Sequence, residues 1–262
     1  MNASRSSVAQ AEGAIEILGC RVDAVDRAQA IERIAELANA TAGSVVVTLG
    51  VEMVMAAQDD ERFRAIVNGA ALNVCDTVGL LLASRLRRGP LRTRVTGVEL
   101  VADLAQRSAE RHDVRLYFLG ASGDTAQRAA AQLRRRFPAA VISGTRDGYF
   151  VDAQSESVAK SIAASGANVV CVGLGSPKQE FWLARYGAAT GCGVGVGVGG
   201  SFDVLAGTVR RAPRFVQRAG LEWAYRLLRE PRRWRRQLAL PRFALAVIAD
   251  NFARKEGGRP KL

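Results

Sequence analysis

The segment NVVCVGLGSPKQEFW, residues 168–182, places a buried strand, a glycine-rich turn and the start of a helix in direct succession. The apolar run at 168–172 is typical of a strand that is covered on both faces. Pro177 suits the first turn of a helix, where its missing N–H has no partner to lose. A strand that passes through glycines into a helix is the unit of a parallel α/β sheet, so we expect that class of fold.

Strands and helices alternate on both sides of this segment. Apolar or β-branched runs predict further strands at 44–49, 70–75, 114–119, 140–143 and 193–198. Helical spacing predicts helices at 51–67, 77–87, 98–111 and 152–165, the last with Asp152 as its cap. We therefore predict an α/β fold with a mainly parallel, Rossmann-like sheet flanked by helices. Alternation of Gly and Val at 193–198 also predicts a bare strand face against which another element packs closely.

Three glycine-rich turns follow predicted strands: GASGD at 120–124, GLGSPKQE at 173–180 and GGSFD at 199–203. Ligands of parallel sheets bind beyond the strand ends, and the N–H groups at a helix start attract phosphate. We predict a nucleotide site formed by Gly120, Gly173, Gly175, Lys178, Gly200 and Asp203. Plain tight turns, with Asp203 as a helix N-cap, are the alternative. The turn at 173–180 does not match the G-x-x-x-x-G-K-S/T pattern of a Walker A loop. It is also a poor dinucleotide fingerprint, because Lys178 occupies the third glycine position.

An aspartate and a threonine stand at the ends of two predicted neighbouring strands. Asp76 follows the strand at 70–75, and Thr48 lies on the strand at 44–49. With a single histidine in the chain, acid–base chemistry falls mainly to carboxylates, lysine or tyrosine, so Asp76 is a candidate general base. The alternative is that Asp76 only caps the helix that follows it.

Two further motifs carry side chains that could contact a substrate. In RTRVTG at 92–97, either Arg92 or Arg94 is a candidate to bind a phosphate or carboxylate, with solvated surface positions for both as the alternative. In DGYF at 147–150, Tyr149 could stack on a base, whereas Phe150 is predicted to join the core.

The positive charge of the chain is concentrated at its C-terminal end. Residues 1–208 carry 22 Lys and Arg against 21 Asp and Glu, a balance of +1, whereas residues 209–262 carry 15 against 4, a balance of +11. The second part reads as short helices with aromatic residues among arginines, broken by Pro231 and Pro241. We predict an α/β body at 14–208 and a basic helical C-terminal appendage at 209–262. Such an appendage faces nucleic acid, an anionic lipid surface or substrate phosphates.

Cysteine, histidine and hydropathy patterns argue against a metalloprotein, a secreted protein and a membrane-spanning protein. The four cysteines stand far apart and the one histidine, His112, lies near a predicted helix end. We therefore expect buried reduced thiols, with no metal and no cofactor. The first 13 residues contain no apolar stretch of the kind found in a secretory signal. The apolar run at 243–249 is far below the ~20 residues that span a bilayer, so we expect a cytoplasmic protein, soluble or peripheral on the membrane.

The order of these motifs resembles the WecG/TagA/CpsF family of bacterial glycosyltransferases, glycosyltransferase family 26. The matching segments are VCDTVG, RVTGVEL, YFLGAS, GTRDGYF, VCVGLGSPKQE, GVGGSFDVLAG and LEWAYRLLREPRRW, between about residues 15 and 240. Two positions depart from the family pattern. Gly50 stands where the family often has Asn, and Thr77 replaces the glycine of its Asp-Gly pair, so the acceptor pocket is altered or these positions are permissive.

The resemblance implies a metal-independent, inverting transfer of a hexose-type sugar from a UDP-sugar to a polyprenyl-diphosphate-linked saccharide. The products of the family serve bacterial cell-surface polysaccharide synthesis, including exopolysaccharides and cell-wall polymers. The resemblance also implies that Asp76 is the base, with Thr48, Arg94 and Gln179 in the active site.

For the remaining residues, the resemblance implies nucleotide contacts by Tyr149 and Asp203. It implies docking of the basic appendage on the inner face of the plasma membrane, and it allows a homo-oligomer. Arg210, Arg211 and Arg214 at the start of the appendage would help the diphosphate to leave.

Two other functions fit part of the sequence. A nucleotide-dependent oxidoreductase would use the glycine turns. Its ribose-binding acid is not at the end of the next strand, however, where Gly199 and Gly200 stand. A nucleic-acid-binding protein would use the basic appendage, but it would leave the glycine turns and Asp76 without a role. We therefore expect a UDP-sugar, a lipid-linked acceptor and a membrane surface as partners, and no nucleic acid.

Overall fold

A six-stranded parallel sheet forms the centre of the protein. The computed structural model describes residues 13–40, 43–209, 212–213, 216, 224–225 and 238–257, with side chains up to residue 253. The strands are β1 (Ala14–Ile17), β2 (Cys20–Asp23), β3 (Ser44–Leu49), β4 (Leu72–Cys75), β5 (Leu116–Gly120), β6 (Ile142–Arg146), β7 (Val169–Gly173) and β8 (Val194–Gly197). The sheet has the order β4-β3-β8-β7-β5-β6 with every neighbouring pair parallel, while β1 and β2 form a separate antiparallel hairpin.

Helices cover both faces of the sheet. They are α1 (Arg27–Ala38), α2 (Val51–Asp59), α3 (Glu61–Gly69), α4 (Val78–Leu86), α5 (Gly97–Arg111), α6 (Thr125–Arg136), α7 (Ser155–Ala164), α8 (Lys178–Tyr186), α9 (Ser201–Leu205) and α10 (Ala239–Gly257). One core cluster packs α1, α5, α6 and α9 on one face, and two further clusters pack α2, α3, α4, α7, α8 and α10 on the other. The predicted fold class is confirmed.

Local capping explains where several helices begin. Asp26 and Gln29 form a capping box at α1, and Thr96 and Glu99 form another at α5, so each pair satisfies N–H groups that have no partner within the helix. The helix predicted at 51–67 is in fact two, α2 and α3. Its break lies at Asp60, whose backbone is extended and whose carboxylate caps α3 by accepting from the Phe63 N–H.

Two predictions from the C-terminal half of the chain are wrong in detail. Pro241 does not break a helix, because it stands in the first turn of α10, where its missing N–H costs no hydrogen bond. Asp152 does not cap α7. It begins a short 3₁₀ turn, Asp152–Gln154, that precedes α7, and its carboxylate pairs with Arg185. Pro231 lies outside the described residues.

The bare face predicted for β8 is confirmed, and helix α8 lies against it. A Cβ atom on Gly195 would run into the Leu183 side chain, and one on Gly197 would lie 2.8 Å from Gln179 Nε2. Because these glycines have no side chain, α8 lies directly on the strand, and its first turn meets the carboxyl edge of the sheet.

Helix α10 packs on the body of the protein. Phe243 and Val247 are buried in the cluster that also contains α2 and α4 residues, and Asp250 forms an ion pair with Arg87. None of the helices in the described ranges is long and apolar enough to cross a membrane.

Candidate functional site

A pocket of about 730 Å³ opens at the carboxyl edge of the sheet. All three glycine-rich turns predicted from the sequence line it: Ala121 and Ser122 after β5, Gly173–Gly175 after β7, and Gly199–Gly200 after β8. The turns meet because β5, β7 and β8 are near one another in the same parallel sheet, so their carboxyl ends point the same way.

Six of the seven predicted nucleotide-binding residues line this pocket. They are Tyr149, Gly173, Gly175, Lys178, Gly200 and Asp203. The seventh, Gly120, lies behind the wall. Its φ is +136°, and a Cβ there would collide with the Gly173 backbone, so only glycine lets β5 and β7 come this close at their ends. Asp203 is the third residue of α9, not its N-cap.

The start of helix α8 gives the pocket its positive character. Gly175 adopts a left-handed φ of +80°, and its carbonyl accepts from the Gln179 N–H at 2.9 Å. Lys178 is the first residue of the helix and is exposed in the pocket wall. The positive end of the helix dipole and a lysine together favour an anion such as a diphosphate.

An aromatic pair lines the pocket next to Lys178. Tyr149 is 80% exposed, and its N–H donates to Asp147 Oδ1 at 2.8 Å in a tight turn. Phe150 is half-buried and packs against the core, as predicted. Lys178 Nζ and the Arg146 guanidinium lie 5.5 and 5.9 Å from the centre of the Phe150 ring, within the range of cation–π attraction.

The residues predicted for the chemistry form a second group, outside the lining of the pocket, at the ends of β3 and β4. Thr48 is buried and donates its hydroxyl to the Gly197 carbonyl at 2.8 Å. The Asp76 N–H donates to the Leu49 carbonyl at 2.9 Å, which places Asp76 just past the end of β4. Asp76 precedes Thr77, the N-cap residue of α4, whose side chain makes no capping hydrogen bond.

Arg94 lies beside this group. The Val95 N–H donates to the Cys75 carbonyl at 2.8 Å, so Arg94 and Asp76 flank the same backbone hydrogen bond. Burial and, to a smaller extent, the charge of Asp76 raise the pKa of the Cys75 thiol to about 12, while the Arg94 guanidinium acts in the opposite direction. Both charges therefore act on that one sulfur.

Gln179 connects the two groups. It is only 2% exposed, and its Oε1 accepts from the Gly199 N–H at 3.0 Å while its Nε2 donates to Glu180 Oε1 at 2.7 Å. The resemblance implied that Gln179 lies in the active site, and this stays a prediction. Its side chain lies beneath the Gly199 turn, not in the lining of the pocket.

The two departures from the family pattern are neighbours in space. Gly50 is the N-cap of α2 and Thr77 the N-cap of α4, and a Cβ on Gly50 would lie 3.2 Å from Thr77 Cγ2. The side chain at position 77 therefore occupies space into which a side chain at position 50 would extend.

Several lining residues were not singled out from the sequence. Ala121, Ser122, Gly148 and Leu174 lie inside motifs that the sequence did indicate, whereas Val151 and Gln154 lie just beyond DGYF and carried no signal. A Cβ on Gly148 would lie 2.9 Å from Leu174 Cδ2 and 3.1 Å from Gly120 Cα, so the loop packs tightly across the turns.

The structure also shows where the cysteines and the histidine lie. All four cysteines are free and buried, and His112 is exposed at the left-handed C-cap of α5, both as expected. Within the described ranges, no group of three or more His, Cys, Asp or Glu side chains could hold a metal ion. Arg210, Arg211 and Arg214 lie outside the described residues.

Three glycine turns, a helix N-terminus, a lysine and an exposed aromatic ring meet at one edge of a parallel sheet. This is the place where ligands of parallel α/β proteins bind, and the composition of the pocket suits a phosphate-bearing ligand. A family model described as "Glycosyl transferase WecG/TagA/CpsF family" matches residues 15–257, so the chain belongs to that glycosyltransferase family. The resemblance read from the motifs is confirmed.

Two curated bacterial relatives cover most of the chain. Both are described as N-acetylglucosaminyldiphosphoundecaprenol N-acetyl-beta-D-mannosaminyltransferase. The protein from Bacillus spizizenii is 38% identical over 211 residues, which is 80% of this chain and 81% of the relative. The protein from Bacillus subtilis is 33% identical over 213 residues, which is 81% of this chain and 82% of the relative.

Proposed function

We propose that the protein transfers a hexose-type sugar, such as N-acetylmannosamine, from a UDP-sugar to a polyprenyl-diphosphate-linked saccharide, with inversion and without a metal. One observation carries the proposal. The pocket built for a phosphate-bearing ligand lies beside the Thr48–Asp76 group, and Gln179, Gly197 and Gly199 join the two. The names of the two relatives supply the class of acceptor and the sugar.

The UDP moiety occupies the pocket in this proposal. Tyr149 is exposed and free to stack on the uracil ring, and the Asp203 carboxylate accepts from the ribose hydroxyls. Lys178 and the positive end of the α8 dipole bind the diphosphate. The sugar then points along the sheet edge toward β3 and β4, where Thr48 and Asp76 lie.

Asp76 acts as the general base. As the acceptor hydroxyl attacks the anomeric carbon from the face opposite UDP, its proton passes to the Asp76 carboxylate. The bond between that carbon and the diphosphate oxygen breaks, and UDP leaves with the electron pair, so the configuration inverts. The sequence contains no Asp-x-Asp motif, and we assign stabilisation of the leaving diphosphate to Lys178, the α8 dipole and the appendage residues Arg210, Arg211 and Arg214.

A UDP-release assay with several UDP-sugars and a short-chain prenyl-diphosphate N-acetylglucosamine tests this proposal. Asp76→Ala should lower turnover by about 10²–10⁴, the contribution of a positioned base, while calorimetry shows UDP binding close to that of the wild type. Turnover should also persist in excess EDTA. Wild-type turnover by the Asp76→Ala protein, or full loss of turnover in EDTA, would contradict the mechanism.

The proposal includes a membrane surface, and the exposed apolar side chains indicate where it lies. Among the described residues, the large hydrophobic side chains left exposed are Leu82, Leu86, Leu238, Leu245, Ile248 and Phe252, together with Tyr149 and Val151 at the pocket. The first six all belong to α4, to α10 or to the residue before α10. This face therefore differs from the rest of the described surface.

Helix α10 is apolar on two sides. Phe243 and Val247 pack inward, whereas Leu245, Ile248 and Phe252 are exposed at spacings of three and seven residues, which places them on one outward stripe. A helix that is apolar on opposite sides is normally covered on both. We propose that an anionic lipid bilayer covers the outer stripe of α10 together with the exposed leucines of α4.

Charge and position favour lipid as the partner of this face. Arg85, Arg88 and Arg92 are exposed along and just after α4, and residues 209–262 carry a balance of +11. Each basic residue near an anionic bilayer contributes about 1 kcal/mol. Because α4 begins two residues after Asp76, a bilayer on this face would bring a lipid-anchored acceptor to the end of the sheet that carries the base.

Vesicle sedimentation tests the surface. We expect Leu245→Glu/Phe252→Glu to reduce binding to phosphatidylglycerol-containing vesicles at least tenfold, because burial of each large apolar side chain contributes about 1.5–3 kcal/mol. Ala131→Glu/Gln132→Glu, at exposed positions of α6 on the other face of the sheet, adds the same charge and should leave binding unchanged. Equal binding by both variants would refute docking, and loss of self-association without loss of vesicle binding would assign the face to a second copy of the chain.

A further inference from the structure

A buried carboxyl group lies directly behind the pocket, and the proposed reaction gives it no role. Glu180, the third residue of α8, is 0% exposed, and its Oε1 accepts from Gln179 Nε2 at 2.7 Å. Burial is the largest influence on the pKa of Glu180 and raises it, while side-chain hydrogen bonds from Gln179 and Ser176 act in the opposite direction. Burying a carboxyl group is costly, so its presence at this point requires a physical explanation.

Glu180 determines which end of the Gln179 amide faces which partner. A carboxyl oxygen that accepts a hydrogen bond must face the NH₂ group, and the amide oxygen then points the other way. There it accepts from the Gly199 N–H at 3.0 Å. A flipped amide would set its NH₂ group against that N–H, and two donors would face each other.

The Gly199 amide belongs to the wall of the pocket. Gly199 and Gly200 both line it, and Gly199 has a left-handed φ of +52°. The Gly199 carbonyl faces the end of the neighbouring strand so closely that a Cβ on Gly173 would lie 2.7 Å from it. A small movement of this turn therefore changes the shape of the pocket on two sides.

The same contacts extend to the second group of residues. A Cβ on Gly197 would lie 2.8 Å from Gln179 Nε2 and 3.1 Å from Glu180 Oε1, so both side chains rest against this glycine. The Gly197 carbonyl accepts the Thr48 hydroxyl. The Glu180–Gln179 pair therefore packs against the end of β8. This end carries both the Gly199 wall of the pocket and Gly197, the partner of Thr48.

We propose that Glu180 is a positioning residue that locks the Gln179 amide in one orientation and so fixes the Gly199 wall of the donor pocket and the Gly197 partner of Thr48. Glu180 touches no substrate in this arrangement and transfers no proton. The inference rests on the proposed function only in taking the pocket as the donor site.

Substitutions that keep or remove the acceptor separate this role from others. Glu180→Ala should weaken UDP binding and raise the KM for the donor by about tenfold, the effect of one lost hydrogen bond in a buried network. Glu180→Gln keeps an acceptor of the same shape, so UDP affinity, kcat, KM and the pH profile should stay close to those of the wild type. If the alanine variant does not fold, Glu180→Asp, which withdraws the carboxyl by one methylene, carries the same expectation as alanine.

Hydrogen exchange at the Gly199 amide gives a readout that does not depend on catalysis. Glu180→Ala should remove the protection of this amide, and Glu180→Gln should retain it. If no UDP-sugar supports transfer by the wild type, the proposed function fails, while this measurement still decides the role of Glu180. Asp26→Ala, which removes the cap of α1 on the opposite face of the sheet from α8, is the control for a general loss of stability and should leave both UDP affinity and Gly199 protection unchanged.

Two results would overturn the inference. In the first, the Glu180→Ala protein has a lower melting temperature, but its UDP affinity and the exchange protection of its Gly199 amide equal those of the wild type. Glu180 would then be only a structural residue. Glu180→Gln with a loss of kcat as large as that of Asp76→Ala would show that Glu180 exchanges a proton in the reaction.

Discussion

At the residue scale, the site depends on contacts between residues that are far apart along the chain. Gly50 and Thr77 stand 27 positions apart, yet both begin helices at the same sheet edge and nearly touch. The Thr77 hydroxyl is buried and has no hydrogen-bond partner among the described residues, so its methyl group, in contact distance of position 50, is the part that packs. The two departures from the family pattern therefore compensate each other: a side chain is absent at position 50, and the Thr77 side chain fills the space beside it.

This contact predicts coupling between the two positions. Gly50→Asn alone gains a good N-cap but places its Cβ 3.2 Å from Thr77 Cγ2, so the gain is offset by the contact. In the Thr77→Gly background the space is free, and Gly50→Asn should be stabilising. A double-mutant cycle by urea denaturation should give a coupling of about 1 kcal/mol, and additivity within about 0.3–0.5 kcal/mol would contradict it.

Glu180 also predicts a dependence of stability on pH. Its pKa is raised in the folded protein by burial, so the folded state holds this proton more tightly than the unfolded state does. The stabilising contribution is complete below the unfolded pKa and is lost as pH rises through the folded pKa. Glu180→Gln cannot ionise, so its melting temperature relative to the wild type should rise between pH 4 and pH 8. A difference that stays constant, or falls, would show that the carboxyl is not held protonated.

At the element scale, close packing of α8 on β8 places the site. The fold class, most strands and the three glycine turns could be predicted from the sequence, because buried parallel strands and strand-end glycines have local signatures. The burial of Gln179 under Gly199 could not be predicted from the sequence, because it depends on the direction in which α8 crosses β8. The β1–β2 hairpin was also missed, because its four-residue strands are too short to show a period.

Glycine at position 195 is required for this packing. Gly195→Ala would press a methyl group into the buried Leu183 side chain and should cost about 1–3 kcal/mol of unfolding free energy. Gly69, the last residue of α3, has no atom within 4 Å of an added Cβ, so Gly69→Ala should be neutral or stabilising by about 0.4–1 kcal/mol. Chemical denaturation of the two variants checks the contrast, and equal effects would show that the strand yields to the extra methyl group.

At the scale of the whole molecule, composition and packing divide the chain differently. Charge places a boundary near residue 209, with almost all of the positive excess beyond it. Packing places α10, which lies beyond that boundary, in the same core cluster as α2 and α4. Helix α4 begins two residues after Asp76, so the appendage is in contact with the helix that follows the proposed base. The outer side of α10 is apolar, and the helix itself packs on the body. Binding of this side to a membrane would therefore place the membrane close to the sheet edge that carries Thr48 and Asp76.

The packing of α10 predicts that it unfolds together with the body. Phe243→Ala removes a ring that is 5% exposed in the α2–α4 cluster and should lower the free energy of global unfolding by about 3–5 kcal/mol. Leu245→Ala, on the outer stripe of the same helix and 70% exposed, should change it by less than about 0.5 kcal/mol. Because the two positions differ mainly in which side of α10 they occupy, the contrast isolates the packed face. Two separate transitions in urea, with only the minor one affected by Phe243→Ala, would instead make α10 an independent unit that rests on the body.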